Sequence, residues 1–271
     1  MNKRIRKVLI VLSALVFLWS VTMLLRQQRD YREGDEIYAE AEQLAAAPDT
    51  SAASDASGHP DDPVVPDASQ STTTTVAEPL ADVELEPLRA VSKAVTGWIC
   101  IPDTKLSYPL VQGADNDWYL NHAWNGRTTS VGSIFLDWRN DAGLTDHHTL
   151  IYGHRMKNGS MFATLKYYDD PAYLAEHPSV YIKTDEGVRR YDIFAAYEAP
   201  VRSVTYRLDF PDEAARQELI DFALAQSVVD AGTVPGPADR ILTLSTCTGQ
   251  GYDTRWVVQA VEVPPASVHT P

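Results

Sequence analysis

The sequence is poor in positive charge and in cysteine. Its 271 residues include 23 Lys and Arg against 37 Asp and Glu, for a formal net charge of −14. We therefore expect no nucleic-acid partner, because phosphate binding needs a basic face. The two cysteines, Cys100 and Cys247, are too few for a disulfide framework or for a zinc site made of cysteine alone. A single Cys100–Cys247 bridge is an open alternative, and it would consume both thiols.

Only one long hydrophobic run is present, at residues 8–25, with four basic residues before it and three after it. Its length is near the short end for a membrane-spanning helix and is too long for a typical signal-peptide core. The run predicts an uncleaved signal anchor, with residues 1–7 in the cytoplasm and the remainder outside the cell membrane. The alternative is a cleaved secretory signal, and both interpretations export the rest of the chain.

The next segment, residues 26–84, lacks the apolar residues that a core needs. Residues 31–47 are rich in Glu and Ala and predict a short polar helix, whereas residues 48–79 are dominated by Ser, Thr, Asp, Ala and Pro. Such a composition predicts an extracellular stalk that is largely disordered. We expect the ordered domain at residues 85–264, followed by a short tail at residues 265–271.

The predicted domain consists of short β-type runs with turn residues between them. These runs lie at residues 97–101, 106–111, 133–137, 149–152, 180–182, 191–195, 239–248 and 256–263. Helical spacing is found at residues 160–168 and 211–229. The pattern predicts a mainly β fold, a closed or nearly closed barrel with peripheral helices.

One β-type run ends in Cys247, and Arg255 opens the next one. Strand ends and the loops beyond them are where rigid scaffolds present reactive groups. An arginine stays protonated and offers a planar fork of donors, which suits a developing oxyanion. The pattern indicates a thiol nucleophile beside a fixed positive charge. The alternative is a buried cysteine that fills a gap in the core.

A cysteine nucleophile needs a nearby base or a lowered pKa. Among the seven histidines, His154 follows the apolar run 150–153 and so lies at a strand end, as Cys247 does. Gly153 before it permits a close approach of the backbone. Taken alone, His154 fits an ordinary structural or surface histidine better. The second strand-end residue, Cys247, together with Arg255, makes a Cys–His pair an equal alternative.

Several segments resemble one family. Residues 243–247 resemble the cysteine signature of sortases, the cysteine transpeptidases of Gram-positive cell surfaces. Residues 152–162 resemble the histidine segment of class B sortases, and residues 97–99, 108–113, 115–116 and 132–137 also match that class, as does the long helix at 211–229. The resemblance covers roughly residues 85–263 and implies an eight-stranded sortase-type barrel.

The resemblance also implies the roles of individual residues. It makes Cys247 the nucleophile, His154 the acid/base and Arg255 the oxyanion-binding or substrate-orienting residue. The residues that it implies along the groove for the sorting signal are Asn116, Leu120, Tyr206 and Ser245. Cys100 departs from the class B pattern, and we expect it to be a strand residue without a catalytic role.

The reaction implied by the resemblance needs no metal and no organic cofactor. Cys247 would attack the carbonyl after the threonine of an Asn-Pro-X-Thr-X-like motif in exported surface proteins, and an amine of the cell wall would take over the acyl group. A class B sortase that polymerises pilins is an alternative, with a pilin amine as acceptor. More remote alternatives are an L,D-transpeptidase or cysteine hydrolase of the cell wall, and a non-catalytic adhesin.

Overall fold

Eight strands close into a barrel in the computed structural model, which describes residues 3–46, 78–247 and 253–264. The order around the barrel is β1-β2-β3-β4-β7-β8-β6-β5. The strands are β1 Val95–Cys100, β2 Ser107–Gln112, β3 Ile134–Leu136, β4 His148–Tyr152, β5 Ser179–Thr184, β6 Gly187–Pro200, β7 Ile241–Cys247 and β8 Thr254–Val263. Each predicted β-type run coincides with one of them, and the predicted mainly β barrel is confirmed.

Two of the strand pairs are parallel, β2 with β3 and β4 with β7. In the second pair, Tyr152 at the end of β4 lies opposite Ser245 near the end of β7. Strand β8 runs back from the same end of the barrel, antiparallel to β7. Since parallel strands end at the same edge, the last residues of β4 and β7 lie close together.

The helices lie outside the barrel. They are α1 Lys3–Ala45, α2 Glu86–Val91, α3 Pro171–Glu176 and α4 Glu213–Gln226, with 3-10 turns at Trp118–Leu120, Phe162–Asp169 and Val204–Tyr206. The predicted helix 211–229 is α4, which begins after Asp212 because that side chain accepts a hydrogen bond from the Ala215 amide at 2.8 Å. The predicted helix 160–168 is a 3-10 helix instead.

Two groups of buried apolar side chains stabilise this arrangement. The barrel interior is filled from all sides, for example by Ile99, Leu110, Ile134, Ile182, Leu244 and Val258. A second group lies between the outside of the barrel and α4, and includes Phe194, Tyr197, Leu219, Ile220 and Val257. Strands β6 and β8 therefore contribute apolar residues to both of their faces, which is why their sequences read as nearly continuous hydrophobic runs.

Helix α1 reaches the barrel directly. Its last turns are buried at Ile37, Tyr38, Ala41 and Ala45. Residue 46 then forms a β-bridge with residue 83, and the amide of residue 84 donates to the carbonyl of residue 45 at 2.7 Å. The residues on either side of the predicted disordered stretch are thus adjacent. The helix contacts the barrel before that stretch begins.

Residues 47–77, most of the predicted stalk, lie outside the described residues. The predicted polar helix at 31–47 is the C-terminal part of α1, and the stripe at positions 37, 38, 41 and 45 that packs on the barrel was not recognised in the sequence. Across residues 3–46, 78–247 and 253–264, no helix meets the length and hydropathy that a membrane span requires.

Candidate active site

A cleft of about 890 Å³ opens where β4 and β7 end and β8 begins. Six of the seven residues singled out in the sequence line it: Asn116, Leu120, His154, Tyr206, Ser245 and Arg255. They come from five separate segments of the chain, so the fold brings together what the sequence keeps apart. In the described parts of the chain, no group of three or more His, Cys, Asp or Glu residues could hold a metal ion.

The seventh residue, Cys247, is the last residue of β7. Its backbone is paired across the sheet with Arg255 of β8. Directly opposite residues in an antiparallel pair have Cβ atoms about 4.5–5.5 Å apart. The strand register therefore places the thiol-bearing residue and the arginine side by side, as the sequence pattern suggested.

The other cysteine is not part of the site. Cys100 ends β1, is buried, and is a free cysteine, which excludes the Cys100–Cys247 bridge. Burial raises the pKa of the Cys100 thiol to about 12, so this residue stays protonated at neutral pH.

His154 is held by backbone hydrogen bonds on both sides. The Gly153 amide donates to the Ser245 carbonyl at 3.2 Å, and the Phe162 amide donates to the His154 carbonyl at 2.9 Å. A Cβ atom at residue 153 would overlap the side chains of Ile134 and Phe162, so only glycine permits this close approach. The sequence order Gly-His is thus explained by packing.

The imidazole orientation is set by a backbone carbonyl. His154 Nε2 lies 2.7 Å from the carbonyl oxygen of Leu120. Because a carbonyl can only accept, Nε2 carries the proton, and Nδ1 is the nitrogen that accepts a proton in the neutral ring. The resemblance placed Leu120 along the groove; the structure adds that its carbonyl fixes the tautomer of the histidine.

Tyr206 and Ser245 meet across the cleft. Their hydroxyl oxygens are 3.0 Å apart, and both residues line the cleft wall. Tyr206 ends the 3-10 turn Val204–Tyr206 in the connection between β6 and α4. This hydrogen bond joins that connection to strand β7, beside the nucleophile position.

Asp137 ends the segment 132–137 that resembles class B sortases, and the sequence analysis predicts no role for it. In the structure it joins several residues of the cleft. Its side chain is fully buried and accepts five hydrogen bonds of 2.8–3.0 Å: three from the backbone amide and guanidinium of Arg139, one from the Tyr152 hydroxyl and one from the Asn116 amide. Burial acts to raise the pKa of Asp137, but these donors outweigh it and lower the pKa. The carboxylate therefore stays ionised and positions three residues of the cleft.

A buried histidine supports the opposite side of the cleft. His148 Nδ1 lies 2.7 Å from the Arg207 carbonyl, and Nε2 lies 2.7 Å from the Thr243 hydroxyl, which accepts from Gln259 at 2.8 Å. Burial lowers the pKa of His148 to about 4, so the ring is neutral with its proton on Nδ1. His148 opens β4, one residue before the β-type run at 149–152 that the sequence predicts.

Three arginines of the cleft were also missed. Arg139, Arg202 and Arg207 line it together with Arg255. Arg139 and Arg207 have carboxylate partners, Asp137 and Glu218. The two arginines at 202 and 207 belong to a loop whose fold no local motif signals, so only the structure could place them.

Comparison with known proteins gives one consistent answer. The family model of the sortase domain matches residues 99–263. A sortase B of Listeria monocytogenes is 38% identical over 180 residues, which is 65% of this chain and 72% of the relative. The chain belongs to the sortase family.

Solved structures agree with this family membership. A Staphylococcus aureus sortase B–substrate complex has a TM-score of 0.63 and 30% identity, covering 67% of this chain and 85% of that one. A Bacillus anthracis sortase B in complex with AAEK1 has a TM-score of 0.68 and 26% identity, covering 87% and 98%. The protein is a class B sortase and hence a cysteine transpeptidase, which sets aside the adhesin and the L,D-transpeptidase.

Proposed function

We propose that this class B sortase cleaves an Asn-Pro-X-Thr-X-like sorting motif of exported proteins and transfers them to an amine of the cell wall. The observation that carries the proposal is the meeting of His154 with Arg255, the strand partner of Cys247, in a cleft lined by the four predicted groove residues. The cleft is large enough for an extended peptide segment, and a solved sortase B that resembles this chain is a substrate complex.

In the proposed mechanism, the Cys247 thiol first gives its proton to His154 Nδ1. The thiolate then attacks the carbonyl carbon after the threonine, and the carbonyl oxygen becomes an oxyanion. Arg255 donates to that oxyanion. His154 gives a proton to the leaving amine, which breaks the peptide bond and leaves a thioester on Cys247. The amine of the acceptor then attacks the thioester, passes its proton to the His154 base and restores the thiolate.

His154 suits the proton transfers because its hydrogen bond to the Leu120 carbonyl keeps the proton on Nε2. Nδ1 is then the atom that takes up and releases the transferred proton. Arg255 suits the oxyanion because its backbone is fixed by pairing on both sides, with Ala199 of β6 and with Cys247 of β7. A preorganised donor stabilises charge without reorganisation at the moment of reaction.

We further propose that α1 anchors the enzyme in the cell membrane, with the barrel outside. The support is the apolar run at residues 8–25, in which large apolar side chains such as Leu15, Phe17, Trp19 and Leu24 are exposed. A contiguous apolar helix surface of this kind favours a lipid environment. Protease added to intact protoplasts should cut the barrel-bearing part of the chain, and protection until lysis would contradict this topology.

Removal of the thiol tests the proposal most directly. Cys247→Ala should abolish both cleavage and transfer of an Asn-Pro-X-Thr-X peptide, because no other side chain is proposed to form the thioester. Cys100→Ala is the matched control and should keep nearly full activity, since Cys100 is buried and its thiol stays protonated. Inactivity of Cys100→Ala together with activity of Cys247→Ala would reverse the assignment.

Arg255→Lys separates an oxyanion role from a surface ion pair. A lysine keeps the charge but loses the rigid fork, so we expect kcat/KM to fall by roughly 10²–10³-fold, the cost of losing an oxyanion donor. Arg190→Lys is the control, because Arg190 forms an exposed pair with Asp192 at 2.7 Å far from the cleft. Near-normal activity of a folded Arg255→Lys enzyme would remove Arg255 from the mechanism.

A further inference from the structure

The last turns of α1 pack beneath the segment that supports His154. We infer that α1 is a working part of the active site and that Tyr38 is a positioning residue, acting on His154 through Gly132. The inference rests on the proposed acid/base role of His154. It concerns a helix that the sequence pattern had assigned to the stalk.

The first step is the contact of Tyr38 with the barrel. Its hydroxyl donates to the Gly132 carbonyl at 2.6 Å and lies 3.3 Å from the Ser133 hydroxyl. Its ring packs edge-on against Tyr108, with centroids 5.1 Å apart. The side chain is buried, so the hydrogen bond to Gly132 has no competition from solvent.

The second step is the contact of Gly132 with His154. Gly132 has a φ of +63°, and a Cβ atom there would lie 2.9 Å from His154 Cδ2 and 2.8 Å from the Leu120 carbonyl oxygen. That same oxygen accepts the Nε2 proton of His154. The backbone at residue 132 therefore lies next to both the His154 ring and the acceptor that orients it, with no room for a side chain between them, and a displacement of Gly132 would disturb both.

The third step is the rest of the docking surface, which holds α1 against the same segment. The Trp124 indole donates to the Ile37 carbonyl at 3.2 Å, and Arg127 pairs with Glu33 at 3.1 Å. A Cβ atom at Gly34 would lie 2.6 Å from Val131 Cγ2, so helix and segment are in close contact there. Residues 124–133 are therefore clamped along α1, immediately before and at Gly132.

These contacts give the N-terminal helix a role in the reaction itself. With α1 docked, Gly132 is held in place, and so are the ring and tautomer of His154. With α1 displaced, Gly132 would lose its buried donor and the histidine would lose its support. Misplacement of a catalytic group by about 1 Å costs on the order of 10²-fold in rate, so a smaller displacement is already measurable.

The test compares Tyr38→Phe with the wild type in the full-length enzyme. The substitution keeps the ring and removes only the hydroxyl. We expect kcat for transfer of an Asn-Pro-X-Thr-X peptide to fall roughly tenfold, with KM within about twofold, because the histidine and not the groove is disturbed. The labelling of Cys247 by iodoacetamide should be slower as well. The reagent is specific for Cys247 because Cys100 is buried and its thiol stays protonated.

Tyr168→Phe is the matched control. The Tyr168 hydroxyl also donates to a backbone carbonyl, that of His177 at 2.7 Å, but away from the cleft. It should lower the melting temperature as much as Tyr38→Phe does, by about 2–4 °C for each kcal/mol lost in a domain of this size. Its kcat and labelling rate should stay at the wild-type values.

Gly34→Ala is a second variant that acts on docking without touching Tyr38. Alanine raises helix propensity by about 1 kcal/mol, yet its methyl group would press on Val131. We expect α1 to gain helicity while kcat falls. Gly236→Ala, whose Cβ would have no neighbour nearer than 3.7 Å, should leave kcat unchanged.

His154→Ala distinguishes a failure of the proposed function from a failure of the inference about α1. If His154→Ala keeps transfer activity, the proposed function fails and the inference with it. If His154→Ala is inactive while Tyr38→Phe and Gly34→Ala have the kcat of their controls, the proposed function stands and the inference is overturned.

Discussion

The two walls of the cleft are held by different chemistry. The first wall, which consists of Asn116, Arg139 and Tyr152, is fixed by the buried carboxylate of Asp137. The second wall is the loop at residues 201–207, and the side-chain hydrogen bonds that join it to the sheet are uncharged. One joins the hydroxyls of Tyr206 and Ser245, a second joins neutral His148 to the Arg207 carbonyl, and a third joins the hydroxyls of Thr205 and Tyr197.

This difference shows which wall is preorganised. Hydrogen bonds to an ionised acceptor are roughly twice as strong as those between neutral groups, and five of them converge on Asp137. In the second wall Val201 and Arg202 are exposed, and the loop is held by neutral hydrogen bonds to the sheet and by one exposed ion pair, Arg207 with Glu218 of α4. We therefore expect the first wall to keep its shape when a peptide binds and the second wall to adjust to it.

Removing the charge of Asp137 should destabilise the first wall. Asp137→Asn leaves Arg139 without its partner and turns an amide toward a set of donors, so we expect a loss of about 3–4 kcal/mol of unfolding free energy at pH 7. The pKa of Asp137 is lowered in the fold, so its contribution is present above the unfolded pKa near 4 and is lost as pH falls through the folded pKa. Urea unfolding at pH 7 and pH 3 measures both effects.

Asp192→Asn is the control for this prediction. Asp192 also accepts two guanidinium hydrogen bonds, from Arg190, but both side chains are partly exposed. Its loss should cost about 0–1 kcal/mol, as expected for a surface pair. Equal losses of unfolding free energy in the two variants would show that the buried carboxylate contributes no more stability than a partly exposed one.

The second wall should depend on pH through His148. Its folded pKa of about 4 lies below the ordinary value of 6.5, so the unfolded chain binds the additional proton between these values. Stability therefore falls as pH decreases from about 6.5 to about 4, by on the order of 3 kcal/mol, since one pKa unit is worth about 1.4 kcal/mol. In His148→Asn the amide can still donate to the Arg207 carbonyl, and this part of the pH dependence should disappear.

The measurement is the free energy of unfolding between pH 4 and pH 7 for wild type and variant. His177→Asn provides the control, because His177 Nδ1 also bonds a carbonyl, that of Pro102 at 3.1 Å, on another part of the surface. A His148→Asn enzyme with the acid sensitivity of the wild type would show that other groups cause it.

The strands and the positions of the candidate catalytic residues could be predicted because their signals are local. Each β run has its own pattern, and Cys247, His154 and Arg255 stand at the ends of such runs. The roles of Asp137 and His148 could not be predicted, since the residues that they join to their own segments, Asn116 and Tyr152 for Asp137, lie elsewhere in the chain. The Arg207 carbonyl, for example, is 59 positions from His148 in sequence.

The packing face of the N-terminal helix could not be predicted from the sequence either. Its acidic and alanine-rich composition is typical of a solvated helix, and the buried positions of its last turns, 34, 37, 38, 41 and 45, form only a narrow stripe. Such a narrow stripe is not distinctive until the surface it contacts is known. The register around the barrel, which pairs Cys247 with Arg255, likewise follows from closure of the sheet and not from either segment alone.

The smallest effect is expected for the hydrogen bond between Tyr206 and Ser245 in the second wall. Tyr206→Phe removes the hydrogen bond to Ser245 and should cost about 0.5–1.5 kcal/mol of stability, the net value of a neutral hydrogen bond. Because the loop also lines the cleft, KM for the peptide should rise by roughly the same free energy, about 2–10-fold, while kcat changes little. Tyr168→Phe is the control, since the Tyr168 hydroxyl also makes one neutral hydrogen bond, to the His177 carbonyl at 2.7 Å, away from the cleft. It should lose similar stability without any change in KM. If Tyr206→Phe lowers kcat and leaves KM unchanged, this wall does not adjust to the peptide but positions the reacting groups, and the contrast between the walls would have to be abandoned.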